Sequence, residues 1–219
     1  MASSTPDQMR RRDRFAPLKE SWAPTLSFTL IFAILGGRLV YKLGDLELGS
    51  SAYSVALHPV LMILSAVLLS SIGTIFRKVG GYDFTKFHGI FLYVATVIAM
   101  YATYIIWEAK HKGNQDHFVS THAQIGLVTI GIHLFVSTGS MYSLHPDFGA
   151  FKHSKLTAIG HRYAGRGIIA LSWCACFTGF SSLVQIGYTL DSFLVYFMMP
   201  LGFASLGFKV LTPRYEKRE

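Results

Sequence analysis

The chain has 219 residues, of which 51% are hydrophobic and only 15% charged, with a formal net charge of +8; a soluble domain carries roughly 25% charged residues. Together with a mean hydropathy of +0.39, this excludes a water-soluble globular protein and makes the lipid bilayer the main solvent. The basic residues flank apolar stretches and have no stacking platform beside them, which excludes nucleic acid as a partner.

A bilayer core about 30 Å thick takes about 20 mostly apolar residues per helix. Six windows of that kind follow one another, at approximately 23–40, 52–76, 88–107, 119–142, 156–184 and 192–211. The expected fold is therefore an all-α membrane protein of six transmembrane helices. Residues 1–22 form an N-terminal segment, 23–211 a single membrane domain and 212–219 a tail, with no room for a nucleotide-binding or separate catalytic module. About twenty polar and basic residues precede the first window, so it is expected to be retained and not cleaved as a signal peptide.

The cationic residues give the orientation. Arg10, Arg11, Arg12, Arg14 and Lys19 precede helix one, Arg77, Lys78 and Lys86 join helices two and three, and Lys152, Lys155, Arg162 and Arg166 surround the join of helices four and five. Lys209, Arg214, Lys217 and Arg218 end the chain. All fall on one side of the threaded bundle, which the positive-inside bias makes the cytoplasm, with both termini there.

Ionisable side chains within spans are costly and mark function by default. In chain order, Arg38 lies near the far end of helix one, where it snorkels or pairs with a bound anion. His58 stands just inside the start of helix two on the non-cytoplasmic side. His88 opens helix three from the cytoplasm, His122 opens helix four from the far side, and His161 lies near the cytoplasmic start of helix five. Four helices thus bring four histidines to two depths, His58 with His122 and His88 with His161, enough for two stacked metal centres in a bundle. His133 falls on the same face as His122, about 16 Å deeper, and is expected to be a polar packing or proton-handling residue. Cys174 and Cys176 point to nearly opposite faces of helix five, cannot pair with each other, and are expected to be buried apolar side chains. Pro200 predicts a kink or break in helix six.

Two imidazoles do not complete a tetrahedral zinc shell, and the spans offer no nearby carboxylate or thiolate cluster to finish one. Haem iron needs only two axial ligands, and its apolar plate suits a bundle of Leu, Phe, Tyr and Met. Histidines in spans also serve as packing residues or proton relays, so a six-helix transporter or proton channel and a structural subunit stand as alternatives.

His58-Pro59-Val60-Leu61-Met62, Lys86-Phe87-His88, Ser120-Thr121-His122-Ala123-Gln124-Ile125-Gly126 and His161-Arg162-Tyr163-Ala164-Gly165 together resemble the cytochrome b561 family of transmembrane electron carriers. The spacings of 34 residues from His88 to His122 and 39 from His122 to His161 are similar to those of its small six-helix branch, which has no fused domain. The resemblance implies two haem b groups in helices two to five, ligated by His58 with His122 and by His88 with His161. It further implies electron flow from cytoplasmic ascorbate to a non-cytoplasmic acceptor, monodehydroascorbate or a ferric chelate. Ascorbate is an anion, so Lys86, Arg162 and Arg166 are its expected partners. On the far side, Lys110, His111, His117 and Phe118 are the expected acceptor site. An endomembrane, endoplasmic reticulum or vesicle, is the expected location, and the assembly is left open between a monomer and a homodimer.

Overall fold

The computed structural model describes residues 30–41, 44–185, 192 and 194–204. All regular structure among the described residues is helical. The elements are α1 (Leu30–Tyr41), α2 (Ser51–Val79), α3 (Tyr82–Lys112), α4 (Thr121–Leu144), α5 (Lys155–Gln185) and α6 (Val195–Ala204). α2 to α5 are long and apolar enough to cross a membrane. The two terminal segments expected at 1–22 and 212–219, and the outer parts of the first and last apolar windows, lie outside the described residues.

α2 packs along α3, α3 against α4, α4 along α5, and α5 back against α2, closing a ring of four helices in which α2 faces α4 and α3 faces α5 across the diagonals. α1 and α6 lie outside this ring. Phe32, Leu35 and Leu39 of α1 and Met199 of α6 join Val67, Trp173 and Phe180 in the main apolar core, where the Trp173 and Phe203 rings stack at 4.9 Å. The ring's outward face is apolar, with Phe135 79% exposed and Tyr142 70% exposed, as a lipid-facing surface requires. Cys176 is buried, whereas Cys174 turns outward: two residues along a helix rotate the side chain by about 200°, so only one of the pair can face the bundle.

Local sequence sets the helix ends. The Ser50 hydroxyl accepts from the Tyr53 amide at 3.0 Å and the Ser120 hydroxyl from the Ala123 amide at 3.2 Å, each satisfying an orphan donor at a helix N-terminus. Gly80 and Gly81, at φ 77° and 94°, make the tight turn from α2 to α3 in a backbone region that L side chains avoid. At 31 residues, α3 exceeds what the bilayer core needs, and both its ends extend beyond the apolar window at 88–107. The extra turns carry polar residues where headgroups and water can solvate them.

Within α2, Ile63–Leu69 is a π-helical segment. Widening the turn displaces carbonyls from their usual donors, and the Ser70 hydroxyl returns a bond to the Ser65 carbonyl at 3.0 Å. A second π segment, Leu194–Met198, comes just before Pro200; proline has no N–H to continue the regular ladder.

Candidate metal centres

The ring of four helices brings the expected histidines together in two diagonal pairs. His58 on α2 faces His122 on α4 with ring centroids 6.1 Å apart and planes at 82°. His88 on α3 faces His161 on α5 at 6.0 Å and 86°. Two imidazoles on opposite sides of one metal ion, with metal–nitrogen bonds of about 2.0–2.1 Å, would have centroids roughly 6.4 Å apart. Each gap is therefore the width of one such ion.

Three of the four rings are oriented by main-chain carbonyls. His58 Nδ1–H donates to Ala102 of α3 at 2.8 Å, His122 Nδ1–H to Ala175 of α5 at 2.8 Å, and His88 Nδ1–H to Gly73 of α2 at 2.9 Å. A carbonyl has two lone pairs, so one within a helix can accept such a bond without giving up its helical partner. The bond fixes the tautomer and leaves Nε2 unprotonated, with its lone pair open to a metal ion. The His161 Nδ1 atom is buried and has no hydrogen-bond partner among the described residues.

A cavity of about 430 Å³ adjoins His58 and His122 and reaches Trp107, Lys110, His117 and Phe118, within the size range of small-molecule and cofactor sites. Gly179 of α5 lies against the His122 ring, and a β-carbon there would come within 2.7 Å of Cε1 and 2.9 Å of Nδ1. Among the described residues no three His, Cys, Asp or Glu side chains gather as a metal site. Two opposed imidazoles, an adjoining apolar space and a ring seat that only glycine allows fit a planar macrocycle that brings its own equatorial donors.

The remaining expected site residues group at the two ends. Beyond the His58–His122 pair, the Trp107 ring lies parallel to His111 at 5.3 Å and nearly parallel to His117 at 5.4 Å, with the two imidazoles 6.4 Å apart. His117 also meets Phe118 at 6.1 Å, and the Lys110 ammonium donates to the Asp116 carbonyl at 3.1 Å. Phe118 has φ 56°, a costly left-handed conformation for a bulky residue and one that tends to occur at functional sites.

At the other end, Lys86 is already engaged. It pairs with Asp147 at 2.8 Å and lies 4.3 Å from the centre of the Tyr82 ring, while the Tyr82 hydroxyl donates to the same carboxylate. Lys152 donates to the Asp147 carbonyl at 2.9 Å. The hydrogen bond from Lys86, then that from Tyr82, holds the Asp147 carboxyl below the usual carboxylate range. Arg162 is exposed, and the Arg166 guanidinium lies 5.6 Å from the centre of the Tyr163 ring. Arg77 is within electrostatic reach of both His88 and His161.

Sequence reasoning took Arg77 only as a topology marker and Trp107 only as the end of a span, and it missed Tyr82, Asp147 and Gly179 altogether. Proximity to His88 and His122 along the chain could have flagged Arg77 and Trp107's loop. Nothing local marks Asp147 as the partner of Lys86.

The family model described as eukaryotic cytochrome b561 matches residues 57–185, from just before His58 to the end of α5. The chain belongs to this family. The match covers α3 to α5, α2 from its seventh residue onward and all four paired histidines, so the ring is the cytochrome b561 core and α1 and α6 are packed around it. Members of the cytochrome b561 family transfer electrons across membranes by means of b haem, and this chain is accordingly a multi-pass membrane protein of the transmembrane oxidoreductase type. No curated protein gives a significant match to the chain.

Proposed function

We propose that the chain carries electrons from cytoplasmic ascorbate, through two b haems, to monodehydroascorbate or a ferric chelate on the opposite side. His58 and His122 would hold one haem and His88 and His161 the other, in a six-span protein of the small branch with both termini in the cytoplasm of an endomembrane. The observation that carries this reading is the pair of ring-to-ring gaps, 6.1 and 6.0 Å at opposite ends of one bundle.

Bound haem supplies reversible one-electron chemistry at its iron. The protein's own contribution is position and environment. The carbonyls of Ala102, Ala175 and Gly73 hold three ligand rings in a fixed tautomer, and the apolar walls keep water from the iron. Fixed ligands reduce reorganisation when the charge on the iron changes.

At the cytoplasmic end, Lys86, Arg162 and Arg166, with Arg77 added by its position, form a cationic field for the ascorbate anion. Lys86 becomes available when the anion replaces Asp147 at its ammonium group. At the far end, Lys110 supplies charge, and the parallel faces of Trp107, His111 and His117 beside Phe118 offer a surface for a planar radical or donors for a ferric chelate. Electrons thereby cross while both substrates stay on their own sides.

The deciding experiment is an absorption spectrum of detergent-purified protein before and after ascorbate, with haem and protein quantified together. Two six-coordinate b haems per chain, reduced by ascorbate, support the proposal. A preparation with no haem would overturn it and return the histidines to proton relay or packing.

A further inference from the structure

His133 is the one buried histidine that the electron path leaves unused among the described residues. It is 5% exposed in the middle of α4, and among the described residues no hydrogen bond, ion pair or ring contact engages it. Its neighbours on the same stripe, four residues to either side, are committed. The Thr129 hydroxyl donates to the Ile125 carbonyl at 2.7 Å, and the Ser137 hydroxyl pairs with that of Thr96 on α3 at 3.0 Å. A polar ring left unbonded inside a span is costly.

The ring lies on the wall of the cavity it shares with His58 and His122. Helix geometry puts it about 20° round from His122 and about 16 Å further along α4, on the way to the second histidine pair. Much of the cavity's wall is apolar, including Ala99 on α3, Ile130 on α4 and Phe180 on α5. A neutral imidazole carries one N–H donor and one acceptor nitrogen, and either tautomer is open to a ring whose nitrogens have no partner. In a low-dielectric pocket such a dipole acts strongly on a neighbouring charge.

We infer that His133 tunes the reduction potential of the haem held by His58 and His122, its N–H dipole facing the cavity and favouring the electron-rich ferrous state. The inference rests on the haem reading above. Its effect is to raise the electron affinity of this haem, against the lowering that its two carbonyl-anchored ligands would produce. His133 is not needed as a ligand, because His58 and His122 already form a complete axial pair.

The test is an optical redox titration of His133→Leu and His133→Gln. In a His88→Ala background, which isolates the His58–His122 haem, His133→Leu is expected to lower the midpoint. The ferric-to-ferrous ratio at the parent midpoint should rise about tenfold, or about 59 mV for one electron. His133→Gln retains an N–H donor and should stay nearer the parent. In a His58→Ala background, which isolates the other haem, His133→Leu should change the ratio less than threefold. In the otherwise unmutated two-haem protein, one titration wave should move and the other stay. Unchanged midpoints with haem intact would overturn the inference, as would loss of the haem in both His133 variants, which would make the residue a ligand or a structural prop. Absence of haem from the unmutated protein would instead defeat the parent reading.

Discussion

The two ends of the four-helix ring present the same pair of facing histidines in different surroundings. At the His58–His122 end both rings are anchored on carbonyls, Gly179 gives His122 a close seat, and a cavity adjoins them. At the His88–His161 end one ring is anchored and the other has a buried Nδ1 with no partner, while Arg77 acts on both. In the proposed two-haem reading, identical histidine pairs would therefore not make identical centres. A hydrogen bond to Nδ1 raises the basicity of a ligand and cationic neighbours favour added electrons, so with haem bound the contacts around each pair would separate their potentials.

The widest separation comes from removing one ligand at a time. His122→Ala should remove one of two haems and His88→Ala the other, each halving the haem-to-protein ratio, and only His88→Ala should abolish rapid reduction by ascorbate from the cytoplasmic side. Full haem content in either variant would break the pairing. Gly179→Ala comes next, because its methyl group would press on the His122 ring. It should weaken the haem at that end and alter its low-spin magnetic resonance signal while leaving the other signal unchanged. Gly165→Ala, where a β-carbon meets nothing within 4 Å, serves as the control and should leave both signals in place.

Smaller effects belong to the Lys86–Asp147 pair. Asp147→Asn should free Lys86 and lower KM for ascorbate severalfold with little change in kcat. Glu108→Gln, which breaks the Glu108–Lys112 pair at the opposite end, should leave that KM alone. The smallest effect is that of pH on the same contact. The folded carboxyl titrates below its ordinary value, so the pair is complete above the unfolded value of about 3.9 and is lost only as pH falls through the depressed one. A profile of ascorbate KM should therefore show no step from Asp147 between about pH 5 and 8, and Asp147→Asn should leave the shape of the profile in that range unchanged. A step there that disappears in Asp147→Asn would contradict the lock.

Much of the ring was legible from apolar windows and charge, because a bilayer imposes length and composition directly. The four long helices fall where those windows lie, and alternating the direction of the spans was enough to match His58 with His122 and His88 with His161 in depth. What escaped was information carried by the main chain or by distant partners. Ala102 and Ala175 act through carbonyls that any residue would supply, so their types say nothing. Gly179 resembles any packing glycine until His122 is known to lie against it. Asp147 is 61 positions from Lys86, and no periodicity links them. The run Ile63–Leu69 is evenly apolar, which hides a change of helical pitch.

That change of pitch has a mechanical consequence. A π turn takes up more chain than an α turn, so α2 carries slack between its two functional ends: His58 at one, and the Gly73 carbonyl that orients His88 at the other. Winding Ile63–Leu69 as ordinary α-helix without removing a residue would rotate one end by roughly 100° against the other. The helix would still span the bilayer, and the two centres would no longer face into the same bundle. The slack acts as a timing adjustment between two fixed points, and the Ser65 carbonyl within it accepts from both the amide and the hydroxyl of Ser70.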